Sequence, residues 1–144
     1  KQALTPLAAY SEHNKFKLFI FDIGILGAMT KLNPKAIMEY DYGTYKGFFA
    51  ENYTAQELIA SGQTELYSWE GKQSEIEFVI DIDGSIAPIE VKSGRQTKSK
   101  SMKAFVDKYH PEQRFIFSAR EPHINLQDGF YGLPLYLVNK LMIE

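Results

Sequence analysis

The chain has 144 residues, the size of one ordinary domain, and 44% apolar residues give it the material for a continuous core. Charged residues make up 24% with a formal net charge of −2, which excludes a disordered polyelectrolyte and a uniformly basic surface, so any nucleic-acid contact must come from a local patch. The absence of cysteine excludes a disulfide framework and a thiolate zinc site, in keeping with a reducing, cytoplasmic setting.

The opening "KQALTPLAAYSEHNK" lacks the apolar h-region of a signal peptide, and a start at Lys1 without methionine reads as a piece cut from a longer protein. Next comes the most apolar stretch, "FKLFIFDIGILGAM" (16–29), which is broken by Lys17 and Asp22. It falls short of the ~18 apolar residues that a membrane span needs, and is therefore core material. Within it, "KFKLFIFD" (15–22) predicts a buried strand; Gly24 and Gly27 loosen the next residues into a turn or short helix, and Asn33-Pro34 stops it. The three histidines, His13, His110 and His123, lie far apart without metal-ligand spacing.

"GTYKGFFAENYTAQELIAS" (43–61) has helical spacing, with Gly62 as its stop. At about 100° per residue, Glu51 falls between Phe48, Ala55 and Leu58 inside the apolar stripe, while Glu57 falls on the outer face. A carboxylate in such a stripe needs a pairing partner, hydrogen bonds or a metal, unless it sits at the edge of the stripe and reaches water.

Three strands follow at "TELYSW" (64–69), "EIEFVID" (75–81) and "SIAPIEVK" (85–92). Asp83-Gly84 is a strong hairpin signal, since both central residues of a type I′ turn need positive φ. With that turn Ile82 faces Ser85, and the register then sets Ile80 against Ala87, Phe78 against Ile89 and Ile76 against Val91, an apolar face. On the other face Glu77 meets Glu90 and Glu75 meets Lys92. Like charges directly opposite destabilise a sheet, so a cation between Glu77 and Glu90 with Lys92 beside it is one reading; a solvated acidic face is the other. Asp81 and Asp83 fit the solvated reading.

The run from Lys92 to Lys103 holds Lys92, Arg95, Lys98, Lys100 and Lys103 with no acid. It is either a phosphate-binding patch or a solvated loop running into a helix, and basic charge at a helix N-terminus opposes the macrodipole. "SMKAFVDKYH" then reads as that helix, ended by Pro111, and "RFIFSA" (114–119) as a strand. The tail "LPLYLVNKLM" has a pattern that suits strand and helix alike. Helix, three strands, helix, strand is the order of a single-domain mixed α/β sandwich.

"GFFAENYTAQELI", "YSWEGKQSEIEFVI" and "IEVKSG" together resemble the helix-acid, acid-strand and Glu-x-Lys series of the PD-(D/E)XK phosphodiesterases. With "FKLFIFDIGIL" and "LPLYLV" included, nearly the whole chain resembles the domain of unknown function at the C-terminal end of prokaryotic AAA-type ATPases. The resemblance implies a restriction-endonuclease-like sandwich, a mixed central sheet flanked by helices. It further implies an upstream P-loop ATPase in the same protein, and hydrolysis of nucleic acid, DNA above all, with Mg²⁺ or Mn²⁺. Carried over, Glu51 is the helix acid, Glu77 and Glu90 the metal-binding acids and Lys92 the lysine that orients or activates the attacking water. Glu77 departs from the pattern, which more often has aspartate there. A silent member of the same fold, binding nucleic acid or a protein partner for the ATPase, is the alternative.

Overall fold

The computed structural model describes residues 2–12, 14–39, 43–94 and 99–141. Short polar caps start the first helices. The Asp22 carboxylate accepts from the Ile25 amide (2.9 Å) at the head of α1 (Ile23–Met29), and the Asn33 side chain accepts from Lys35 N–H (2.8 Å) at α2 (Pro34–Met38). Pro34 therefore opens a helix at its first position, where its missing N–H costs nothing.

The long helix α3 (Lys46–Ala60) ends at Ser61, and Gly62 follows with φ of 111°. Strands β1 (Tyr67–Glu70), β2 (Glu75–Ile82) and β3 (Ser85–Val91) come next, then α4 (Lys100–Tyr109), β4 (Arg114–Ser118), β5 (His123–Asn125) and β6 (Phe130–Pro134). A 3₁₀ turn at Leu135–Lys140 follows β6, so the ambiguous tail is part strand and part helix. The order of α3 to β4 is the one the sequence predicts. The short β5 has no counterpart in that order.

The strands form one open mixed sheet in the order β1-β2-β3-β4-β6-β5, with β3–β4 and β4–β6 parallel and the other pairs antiparallel. Asp83 (φ 52°) and Gly84 (φ 83°) make the turn between β2 and β3, and the register runs from Ile82–Ser85 to Phe78–Ile89 as predicted. One face of the sheet is covered by α3 and the 3₁₀ turn, joining Ala55, Leu58, Phe78, Ile80, Ile89 and Val138 in a core. The other is covered by α4, where Met102 and Phe105 pack on Trp69, Ile76, Val79 and Ile116. No helix among the described residues is long and apolar enough to cross a membrane.

Three expectations are corrected. Residues 15–22 join no strand of the sheet, and Phe16, Leu18 and Phe21 are exposed. The backbone there is held by side chains of α3 instead of a ladder: Asn52 accepts from Ile20 N–H and donates to its carbonyl, both at 2.8 Å, and Gln56 accepts from Ile23 N–H (2.9 Å). Phe48 is 65% exposed, because α3 turns its neighbour Phe49 inward, within reach of Gly27 on α1. Third, Ile76 does not share a face with Phe78: it packs with Val79 under α4.

Candidate functional site: the open end of the β2–β3 hairpin

An extra residue in β2 explains the displaced Ile76. Tyr67 pairs with Val79 but Trp69 pairs with Ile76, so Glu77 and Phe78 together oppose Ser68. Such a bulge bends the strand and ends regular pairing nearby. The β2–β3 ladder accordingly stops at Phe78–Ile89, and Glu77 and Glu90 are not ladder partners. The amide that a continuing ladder would engage is taken by a side chain: Val91 N–H donates to Glu77 Oε2 at 3.3 Å. Glu75 is likewise not set against Lys92; it pairs across β1–β2 with Glu70.

Glu90 lies deeper. It stands beside Ile116 of the parallel neighbour β4 and is 1% exposed. Its Oε1 is ion-paired with Lys92 Nζ, while Oε2 is buried and has no hydrogen-bond partner among the described residues. An oxygen in that state costs free energy that burial of the surrounding apolar groups must offset. The Lys92 backbone N–H is fixed by Phe117 O (2.8 Å), which continues the β3–β4 pairing and holds the lysine stem at the sheet end.

Burial pushes the Glu77 carboxyl up to about 7, and the charges of Glu90 and Glu51 add to that push, against the backbone N–H groups of Glu77 and Val91 that lower it. The three acids singled out from the sequence are thus close enough to repel. Glu51 also meets a cation that in the sequence stands only as a break in an apolar run. Lys17 Nζ is 3.4 Å from Glu51 Oε2 and ion-paired with Glu75. Burial opposes charge on Lys17, but its two carboxylate partners outweigh this and hold its pKa above the ordinary value. A lysine alternating with aromatic residues in "KFKLF" was the available signal.

A cleft of about 600 Å³ opens beside Glu77, walled by Tyr10, Lys15, Phe16, Lys17, Tyr67 and Trp69 among others. No group of three or more His, Asp or Glu side chains is arranged to hold a metal ion among the described residues. Of the basic segment, Arg95 and Lys98 lie outside the described residues. Lys100 is exposed at the start of α4, where Ser99 caps Met102 N–H (2.9 Å), and Lys103 is exposed and paired with Asp107 at 2.6 Å.

The architecture is that of a mixed α/β domain whose acidic residues gather where two strands part. The family model described as "Domain of unknown function (DUF4143)" matches residues 46–138, and the chain belongs to this family, which is commonly found with AAA-type ATPases. No curated protein and no solved structure matches the chain. The matched span contains Glu51, Glu77, Glu90 and Lys92 and leaves out Lys17.

Proposed function

We propose that this domain is a nuclease-like module with a restriction-endonuclease-like layout, whose acid cluster takes Mg²⁺ or Mn²⁺ for phosphodiester hydrolysis of nucleic acid. One observation carries the reading: Glu90 is buried with Oε2 unpartnered, beside Glu77, which is pushed up to about 7. A carboxylate set so desolvated and self-repelling fits a hard cation, which takes carboxylate oxygens and leaves positions for water and phosphate. Glu77 and Glu90 would hold the ion, with Glu51 facing it from α3. When bound, such an ion supplies Lewis acidity and a water of lowered pKa.

The chain's own groups supply the rest. Lys92, tied to Glu90 Oε1, keeps its ammonium where negative charge develops on a phosphoryl group and orients the attacking water. Lys100 and Lys103, with Arg95 and Lys98, offer charge for backbone phosphates of DNA. Glu77 carries a longer arm than aspartate, which favours weak ion binding. The setting in this reading is cytoplasmic, beside an ATPase domain of the same protein.

Calorimetric Mn²⁺ titration tests this, paired with a cleavage assay on the wild type, Glu90→Gln and Lys92→Ala. Binding in the wild type, its loss in Glu90→Gln, and persistence in Lys92→Ala with cleavage lost is the expected pattern. No binding in the wild type, even with DNA present, defeats the reading. A second reading, a catalytically silent module that docks a protein partner, draws on the exposed Phe16, Leu18, Phe21, Met38 and Phe48. Metal binding without cleavage by the full-length protein would favour it.

A further inference from the structure

Lys17 sits outside the family-matched span, on a segment with no strand partner, yet its side chain meets two carboxylates. Two side chains of one helix hold the backbone around it. Asn52, itself only 4% exposed, makes both hydrogen bonds to Ile20, and Gln56 takes the Ile23 amide. Phe19 packs on Phe78 with ring centroids 5.6 Å apart. Phe19 and Lys17 thus turn toward the sheet and its acids, while Leu18 is 86% exposed. Residue 17 is therefore fixed over the end of β2, next to the residue pair Glu51-Asn52 that starts the clamp.

An aliphatic side chain would serve that position if packing were its whole purpose. The lysine instead reaches Glu51 Oε2 at 3.4 Å and the Glu75 carboxylate, with its side chain 34% exposed. Lys15, two residues earlier, pairs with Glu70 at 2.6 Å. The like-charged ladder pair Glu70–Glu75 is thus covered by one lysine on each acid, both from the same segment. Lys15 is in open solvent and is worth little. Lys17 differs, since Glu51 also faces Glu77.

We infer that Lys17 is a positioning residue of the acid cluster: its ammonium holds Glu51 and Glu75 together at the mouth of the site and competes with a divalent cation drawn to Glu77 and Glu90. The inference rests on the metal reading above. It assigns the segment 15–22 a purpose: carrying a tethered cation that sets how tightly the ion binds. Removing a like charge from the rim of a partly solvated carboxylate cluster raises its affinity for a cation on the order of tenfold.

Calorimetric Mn²⁺ titration of the wild type, Lys17→Met and Lys17→Arg is the test, with hydrogen exchange at the Ile20 amide reporting whether the segment stays docked. Met keeps the stem without charge; Arg keeps the charge. Binding about tenfold tighter in Lys17→Met and unchanged in Lys17→Arg is expected. Should Lys17→Met release the segment, Lys17→Gln, neutral but able to donate to both carboxylates, takes its place in the same comparison. Wild-type binding that the neutral variant leaves equal or weaker overturns the inference and leaves the metal reading standing. Binding in the neutral variant alone, with none in the wild type even when DNA is present, defeats the metal reading for this protein and the inference with it. If neither the wild type nor the neutral variant binds, the metal reading fails and the inference with it.

Discussion

The end of the β2–β3 hairpin and the segment 15–22 invert the usual rule in opposite directions. At the hairpin a charge is buried: Glu90 is 1% exposed. Along the segment, apolar side chains are in water: Leu18 is 86% exposed. Ordinary cores keep charges out, and the cost of a buried carboxylate is repaid only by partners. Exposed leucine costs little, because much of any protein surface is apolar. The first inversion therefore demands a chemical explanation, whereas the second becomes informative only because several such residues lie together.

Phe78→Ala and Phe48→Ala break the comparison most sharply. Phe78 is 1% exposed between Phe19, Ile80 and Ile89, so its truncation should destabilise the fold by about 3–5 kcal/mol. Phe48, at 65% exposure, should cost about 0.5 kcal/mol or less. Urea denaturation of both variants checks this, and equal losses would mean that α3 presents a different face in solution.

Glu77 gives the next largest effect, through pH. Its carboxyl is raised in the folded state to about 7 from 4.5, so the folded form resists ionisation that the unfolded chain accepts. Below 4.5 both states are protonated and nothing is lost. As pH climbs from 4.5 to about 7 the unfolded state sheds its proton first, so stability falls, and it levels off above that. With solvent screening of a part-exposed group allowed for, the loss is about 2 kcal/mol. Glu77→Gln should flatten this part of the pH–stability curve. An unchanged curve would show that Glu77 ionises freely and that the hairpin end is wetter than its geometry implies.

The ion should sharpen the same contrast more gently. Adding Mn²⁺ at about ten times its dissociation constant should stabilise the wild type by about 1.4 kcal/mol by mass action, and do so less at low pH, where Glu77 holds its proton. Thermal melts with and without metal, at both ends of that pH range, measure it; Glu90→Gln should show no shift.

The hairpin was legible because its determinants are local. Asp83-Gly84 fixes the turn, and alternation from Ile80 to Ala87 fixes the register. The bulge at Glu77–Phe78 was not, since it exists only against β1, whose pairing no local pattern specifies. Glu51, Glu77, Glu90 and Lys92 were named from the sequence, but the unpartnered Glu90 oxygen and the Lys17 contact are tertiary facts. Phe48 and Phe49 are adjacent aromatics about 100° apart on a helix, and choosing between them required α1 to be in place. For residues 15–22 the apolar composition suggested a strand, while the hydrogen bonds came from Asn52 and Gln56, which no strand pattern announces.

Leu18→Ser is the smallest expected effect and addresses the exposed side of the comparison. The side chain is 86% exposed, so its loss removes almost no buried area, and the denaturation midpoint should move by less than about 0.5 kcal/mol equivalent. The neighbouring Phe19 would report differently, because it contacts Phe78 and is partly buried against the core. A drop of more than about 1 kcal/mol for Leu18→Ser would mean that the outward face of the segment is covered in solution, and a concentration-dependent midpoint would identify the cover as a second copy of the chain. A midpoint that is lowered but independent of concentration would place the cover within the chain itself, and the segment would then be a packed element and not an exposed carrier for Lys17.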